Sequence, residues 1–439
     1  MRLVIPSFFA TLVLWVMLEL IVRRVAARGL KTDFYGSISR SQVRMLQEIH
    51  GLKLVRGAGW CHLGWIADPE RETYEIQTCE AGGQWRVVDR TKTGSWLARG
   101  ALHSGQIRVV AVPTTAGRKR ILGLVSAESL VGRGQPGPIQ TPVIGGPWQP
   151  LFKPHRAGDY INDHCIYQDQ EGRWRVVGIT GPGEGDYARE KKFAVGVGDA
   201  FPPETPFQES DPVAESDDPA WAPDVVWDGS HYHLFWSPHQ LHHMVSEDGI
   251  TWQQHRILMD TPHHLFFRDA MIFRVASDQW LLYATARGGW FSRVDIYQSF
   301  DLLHWQYIRS ALRGTWGSEK NFVTGSMESP FLIQRDGRYY LSITYNNESF
   351  FLAPLLLQMK HFLKKRDYNN TLIFHSETPY NFGLYRGRKK TRNLVTRLDA
   401  HAPVYVQVGD RWIITTSGWP FAATLTDGEV AWAPLTWHD

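Results

Sequence analysis

Cysteine is scarce in this chain of 439 residues. Cys61, Cys79 and Cys165 are the three present, too few for a closed disulfide framework. Export would leave Cys61 and Cys79 able to pair without the spacing requiring it, whereas Cys165 is expected to pack as a small apolar side chain. Excess charge is also missing. Of 47 basic and 44 acidic residues, five and one lie in the first 31 (Arg2, Arg23, Arg24, Arg28 and Lys31 against Glu19), leaving 42 and 43 for the rest. No basic field remains to attract a phosphate backbone, so nucleic acid is excluded as a partner. A small-x-small cleavage site is absent behind the apolar run from Leu3 to Val22, which ends at Arg23-Arg24. That run is long enough to span a bilayer and reads as an uncleaved anchor, so the membrane is an expected partner and the protein is expected to be membrane-anchored or exported.

What the chain has in quantity is aromatic residues (13%, with 19 Trp), 39 Gly and 24 Pro. This mixture suits short strands, tight turns and a sugar-stacking surface. The length exceeds one core and implies two folded units plus the anchor. Residues 1–31 form the hydrophobic helix and residues 32–145 a smaller β-rich domain. Within that domain Ser41 to His50 is expected to be a short helix, followed by strands near Thr73–Thr78, Trp85–Val88, Gln106–Val112 and Arg120–Val125. Gly132 to Pro150 reads as a linker.

From residue 146 to 439 one spacing recurs. A polar or aromatic residue is followed eleven positions later by an aromatic that opens an apolar run: Asp163 with Trp174, Trp221 with Tyr232, Asp269 with Trp280, Glu328 with Tyr339, and His401 with Trp412. A turn motif repeats as well, as Ser246–Trp252 and Ser299–Trp305. Repeats roughly 50 to 70 residues apart hold four strands and a loop each, the size of a propeller blade. The expected fold is therefore mainly β, a five-bladed β-propeller.

If the repeats close into a ring, Asp163, Asp269 and Glu328 converge on its axis. Gathering three acids there is costly through repulsion and desolvation, which points to chemistry. Glycoside cleavage needs a proton donor and a second carboxylate across the sugar, and a third acid nearby raises the donor's pKa. Glu328 has the reach of a donor. Trp221 offers a stacking face or a core contact, and Arg268 pairs with a sugar hydroxyl or orients Asp269. Asp224 has opposite strand parity to Trp221 and is expected to point away from the channel. His242-His243 and His263-His264 face opposite ways along their strands and make no chelate, while His264 is expected to rim the pocket.

Trp221-Ala-Pro-Asp-Val-Val226 with Gly229 and Tyr232 resembles the second-blade signature of glycoside hydrolase family 43. Asn162-Asp163, Phe267-Arg268-Asp269 and Met327-Glu328-Ser-Pro330 resemble the acidic motifs of families 32 and 68. The resemblance covers residues 150–439 and implies a carbohydrate substrate carrying an arabinosyl, xylosyl, galactosyl or fructosyl unit. It also implies Asp163 as base or nucleophile, Asp269 as pKa modulator or transition-state stabiliser, and Glu328 as general acid. His401 would hold a water or calcium network near the axis, a structural calcium being allowed and no cofactor required. The chain departs from these motifs where His164 follows Asp163 and Ala270 follows Asp269. A phosphorylase or transferring relative, and a non-catalytic sugar- or protein-binding propeller, are the alternatives.

Overall fold

The computed structural model describes residues 52–57, 60–79, 84–99, 106–115, 117, 119–126, 136–155, 160–182, 187–261, 266–288, 291–315, 326–346, 368–388, 390–420 and 424–439. The expected anchor over 1–31 and the helix at Ser41 to His50 lie outside them. Among the described residues no helix is long and apolar enough to cross a membrane. Helix is confined there to one turn at Tyr187–Arg189, and the protein is mainly β.

Five antiparallel sheets follow one another in a propeller-like ring. Sheet one runs Asn162–Gln168, Trp174–Thr180, Lys192–Gly198 and Gln208–Val213, and sheet two Trp221–Trp227, Tyr232–Ser237, Gln240–Ser246 and Gln253–Asp260. Sheet three comprises Arg268–Ala276, Gln279–Gly288, Phe291–Ser299 and Gln306–Gly314, with Gly383–Tyr385 added in parallel. Sheet four takes Ser326–Arg335, Arg338–Asn346, Thr371–Ser376 and Leu394–Leu398. Sheet five joins Tyr405–Val408, Arg411–Thr416 and Val430–His438 to Thr141–Ile144. Residues 141–144 and 149–152 both pair with the last strand, which corrects the reading of this stretch as a linker. The segment that enters the ring and the strand that ends it thus share one sheet, with Thr141–Ile144 as its outermost strand.

The apolar core is divided among the gaps between sheets. Val177 and Val195 of sheet one meet Leu234 and Trp236 of sheet two. Phe235 meets Ile272 and Leu282, Tyr283 and Val294 meet Leu341 and Ile343, and Ile333 and Tyr340 meet Ile414 and Leu435. Ile413 and Val430 return to Val176 and Ala194 of sheet one, completing the ring. A second strand therefore has neighbours on both faces, and Tyr232–Ser237 is buried at every position. The fourth strand, Gln253–Asp260, is mostly exposed and correspondingly polar. Burying one Leu or Ile contributes roughly 1.5–3 kcal/mol, so these gaps dominate stability. Both copies of the repeated turn close alike: Asp248 Oδ1 accepts from Ile250 N and Thr251 N, and Asp301 Oδ1 from Leu303 N and His304 N.

Two further sheets precede the ring, one of Lys53–Gly57, Trp60–Gly64 and Ser95–Arg99, the other of Arg86–Thr91, Glu72–Cys79, Gln106–Pro113 and Arg120–Ser126. Their shared core holds Leu63, Trp65, Tyr74, Ile76 and Val109. They dock on sheet three, where Gln298 Nε2 donates to the carbonyls of Trp65 and Gly94 at 3.1 and 2.8 Å. No disulfide joins Cys61 to Cys79, so the pairing open to an exported chain is not made. Cys165 packs in the core between sheets one and two.

Candidate active site

Near its head, the first strand of each of sheets one to four is interrupted by a bulge. Pairing jumps from Asn162 to His164, from Trp221 to Asp224, from Arg268 to Met271 and from Glu328 to Phe331. Left-handed backbone accompanies the break at Ala222, Asp269 and Ser329, with φ of 47, 55 and 46°, and Ala402, just ahead of the first strand of sheet five, has φ of 43°. Such non-glycine conformations cost of order 1–3 kcal/mol each and cluster where side chains are re-aimed.

The bulges also correct the expected register. Asn162, Trp221, Arg268 and Glu328 pair with Ile179, Ser237, Thr285 and Thr344, so Glu328 is equivalent to Arg268, and Asp269 to Ser329. The eleven-residue spacing hides this offset. One residue more lies between the pairs Gln168–Trp174 and Arg274–Trp280 than between Trp227–Tyr232, Gln334–Tyr339 or Gln407–Trp412. The extra residue near the turn compensates for a leading residue one place further into the strand.

The three acids meet nonetheless. Arg268 Nη1 lies 3.0 Å from Asp269 Oδ2, and its Nη2 lies 2.8 Å from Glu328 Oε1. Ser329 joins the remaining pair: its N–H donates to Asp269 Oδ2 at 3.0 Å and its hydroxyl to Asp163 Oδ1 at 3.2 Å. His401 Nε2 stands 3.6 Å from Asp163 Oδ1, while its Nδ1 is 3.2 Å from the Tyr368 carbonyl. Hydroxyls on preceding sheets fix the backbone of the strand heads. Ser237 Oγ accepts from Asp269 N, Ser292 Oγ from Met327 N, and Thr344 Oγ1 from Ala402 N, each at 2.9 Å.

Burial sets the electrostatics. Asp163 is pushed well above the usual carboxylate range by desolvation and then by Asp269 and Glu328. Desolvation also raises Asp269, against the pull of Arg268. Burial works against the charge on Arg268, but Asp269 and Glu328 outweigh it and hold the guanidinium firmly protonated. Burial lowers His401 to about 4 and His164 to about 3, so both are neutral near pH 7.

A cavity of about 300 Å³ opens on the axis, lined from all five sheets by residues including Asp163, Asp224, Asp269, Ser329, Tyr405 and Gln407. Asp224 thus faces the cavity, contrary to the parity expectation, because the bulge after Trp221 resets the alternation. Its Oδ2 accepts from Ile272 N at 2.6 Å, and burial raises its pKa to about 7. Glu328 joins the cluster through Arg268 and is not among the residues lining this cavity. Trp221 packs against the core between sheets one and two. His264 lies outside the described residues. Of the other histidines, His243 bonds His233 at 2.9 Å and His242 bonds His255 at 3.0 Å, on opposite faces as alternation requires. No group of three or more His, Cys, Asp or Glu that could hold a metal ion is found among the described residues. Ser329, the link between two acids, was not singled out from the sequence, although it stands inside the Glu328-Ser-Pro330 motif.

No protein family matches the sequence, and no curated protein matches it. Solved structures do. The chain resembles solved glycoside hydrolases. A thermostable family-43 glycoside hydrolase aligns at 14% identity over 64% of this chain and 92% of that one, with a TM-score of 0.44. The GH32 β-fructofuranosidase of Bombyx mori aligns at 14% identity and a TM-score of 0.44 over 66% of this chain, which spans 61% of that enzyme's length. The catalytic domain of a Coprinopsis cinerea GH62 α-L-arabinofuranosidase aligns at 11% identity over 66% of this chain and 96% of that one, with a TM-score of 0.43.

Proposed function

We propose that the protein is a five-bladed propeller glycoside hydrolase whose chemistry is carried by Asp163, Asp269 and Glu328. The supporting observation is the convergence, from three separate sheets, of three buried carboxyls on one guanidinium and one serine. A scaffold has no need of that arrangement, because apolar or hydroxyl side chains would fill the axis without repulsion or desolvation. Acid–base cleavage needs two carboxyl groups in opposite protonation states, and a third whose charge separates their pKa values. In this reading Glu328 delivers the proton to the leaving oxygen, Asp163 acts on the anomeric side, and Asp269 stabilises positive charge on the sugar. Arg268 orients Asp269 and Glu328, so its role is within the cluster and not on a sugar hydroxyl. The substrate would carry a pentosyl, galactosyl or fructosyl unit, and the two sheets that precede Thr141 would be a separate domain.

The test is hydrolysis of a panel of aryl and natural glycosides by the intact chain and by Glu328→Gln and Asp163→Asn. Each substitution is expected to lower turnover by about 10²–10⁴-fold with the fold intact. Turnover unchanged in both variants would remove catalysis from this cluster. Sugar binding without turnover in the unsubstituted chain would favour a binding module.

A further inference from the structure

We propose that His401 is a positioning residue that holds the resting proton of the acid cluster on Asp163, leaving Asp269 and Glu328 ionised on Arg268. This rests on the reading of the cluster as a catalytic site and adds how the site is set before substrate arrives. Three carboxyls and one guanidinium cannot all be charged in a buried volume without an uncompensated anion, which is far more costly than a neutral acid. Arg268 is engaged at 3.0 Å by Asp269 and at 2.8 Å by Glu328. Asp163, with a side chain 9% exposed, has no such partner and is faced instead by a hydroxyl, from Ser329, and by the imidazole of His401.

The orientation of that imidazole decides what it offers. Nδ1 faces the carbonyl of Tyr368, an acceptor, so Nδ1 carries the ring hydrogen and Nε2 presents a lone pair. His401 is 1% exposed, and Nε2 has no hydrogen-bond partner among the described residues; the polar group in front of it is Asp163 Oδ1, at 3.6 Å. A lone pair facing a carboxyl oxygen repels the anion and welcomes the acid. The gap exceeds a hydrogen bond by about 0.4 Å, which a small side-chain rotation closes. Other charged groups agree. Asp269 and Glu328 are both anionic neighbours that disfavour a third negative charge, and His164, next in sequence, is turned to Thr415 Oγ1 at 2.7 Å and stays neutral. At rest, then, the proton sits on the residue expected to act as base, and Glu328 must gain one before it can serve as donor. The exchange is balanced within the cluster, Asp163 losing the proton that Glu328 receives.

Infrared spectroscopy of the full chain reads this without turnover, because a protonated carboxyl has its own carbonyl stretch. At pH 7, carbon-13 aspartate is expected to shift a buried-acid band that carbon-13 glutamate leaves in place. Asp163→Asn should abolish that band and Glu328→Gln should keep it, with Asp224→Asn identifying any separate contribution from Asp224. His401→Phe should move the band's disappearance to lower pH by about one unit, the effect of losing one ordinary hydrogen-bond acceptor. His401→Gln, which keeps an acceptor oxygen, should restore most of the shift. A band that follows glutamate labelling and vanishes in Glu328→Gln overturns the proposal, as does an unmoved midpoint in His401→Phe. The outcome is separable from the hydrolase reading: a band on Asp163 in a protein that cleaves no glycoside keeps this inference and sinks the other.

Discussion

Glu75 in the amino-terminal four-stranded sheet and the acids on the axis are both buried carboxyls, but they are compensated in opposite ways. Glu75 alone receives Lys119 at 2.9 Å, Arg90 at 3.2 Å and the Gln77 amide at 2.8 Å. The Lys119 hydrogen bond is the main reason its carboxyl is held below the usual range. On the axis, Arg268 pairs with Asp269 and Glu328 and not with Asp163, and Asp163 and Asp269 are raised. A carboxylate that only supports a sheet is surrounded by more donors than it needs. Acids kept short of donors, one of them, Asp269, on left-handed backbone, are retained against stability, which is the pattern expected where function decides.

The strongest way to break this contrast is to remove the one shared cation. Arg268→Met leaves two buried carboxylates unpaired and is expected to lower the free energy of unfolding by about 3–5 kcal/mol in urea at pH 7. Adding Asp269→Asn and Glu328→Gln to it should recover most of the loss; a single variant as stable as the parent would mean that the acids are not ionised together.

Acid pH sharpens the contrast from the side of the imidazoles. Burial lowers His62, His164 and His243 to about 3, and His242 and His401 to about 4. A lowered histidine binds its proton more readily when unfolded. Its contribution is complete above the ordinary value near 6.5 and is lost progressively as pH falls toward the folded value. One such residue corresponds to about 2 kcal/mol between pH 7 and pH 5. The raised carboxyls Asp163, Asp224 and Asp269 gain stability over the same interval and offset part of this loss, so the contribution of one ring is read as a difference: the change in unfolding free energy from pH 7 to pH 5 should be less destabilising by about that amount in His164→Gln than in the parent. Equal changes in the two proteins would show that ring to be solvated.

The smallest expected effect is at Glu75. Its partners Lys119 and Arg90 are 57 and 66% exposed, so Glu75→Gln should cost only about 1 kcal/mol at neutral pH. Because the folded-state pKa is depressed, that difference should fade as pH falls through it. A gain in stability would erase the contrast with the axis.

The sequence spacing made the five hairpins and their aromatic second strands legible, since Trp174, Tyr232, Trp280, Tyr339 and Trp412 each stand first or second in the return strand. The outer turns were legible too, because Asp248 and Asp301 must accept backbone N–H groups at fixed offsets. Bulges were not. Periodicity counts residues, not pairings, so it aligned Glu328 with Asp269 and turned Asp224 the wrong way. Nor could composition reveal that residues 141–144 complete the last sheet, since that pairing lies across nearly the whole ring. The three acids were found because their type is improbable on an axis, whereas Ser329 looked ordinary until its N–H and hydroxyl were seen reaching two different carboxyls.

Asp163→Asn, followed in parallel by urea unfolding at pH 8 and by glycoside hydrolysis, puts the central claim to its most direct test. A raised carboxyl penalises the folded state increasingly as pH climbs from the ordinary value to the folded one. The variant should therefore be more stable than the parent by about 1–2 kcal/mol, and at least about 100-fold slower. A variant that is less stable and equally fast would contradict the account.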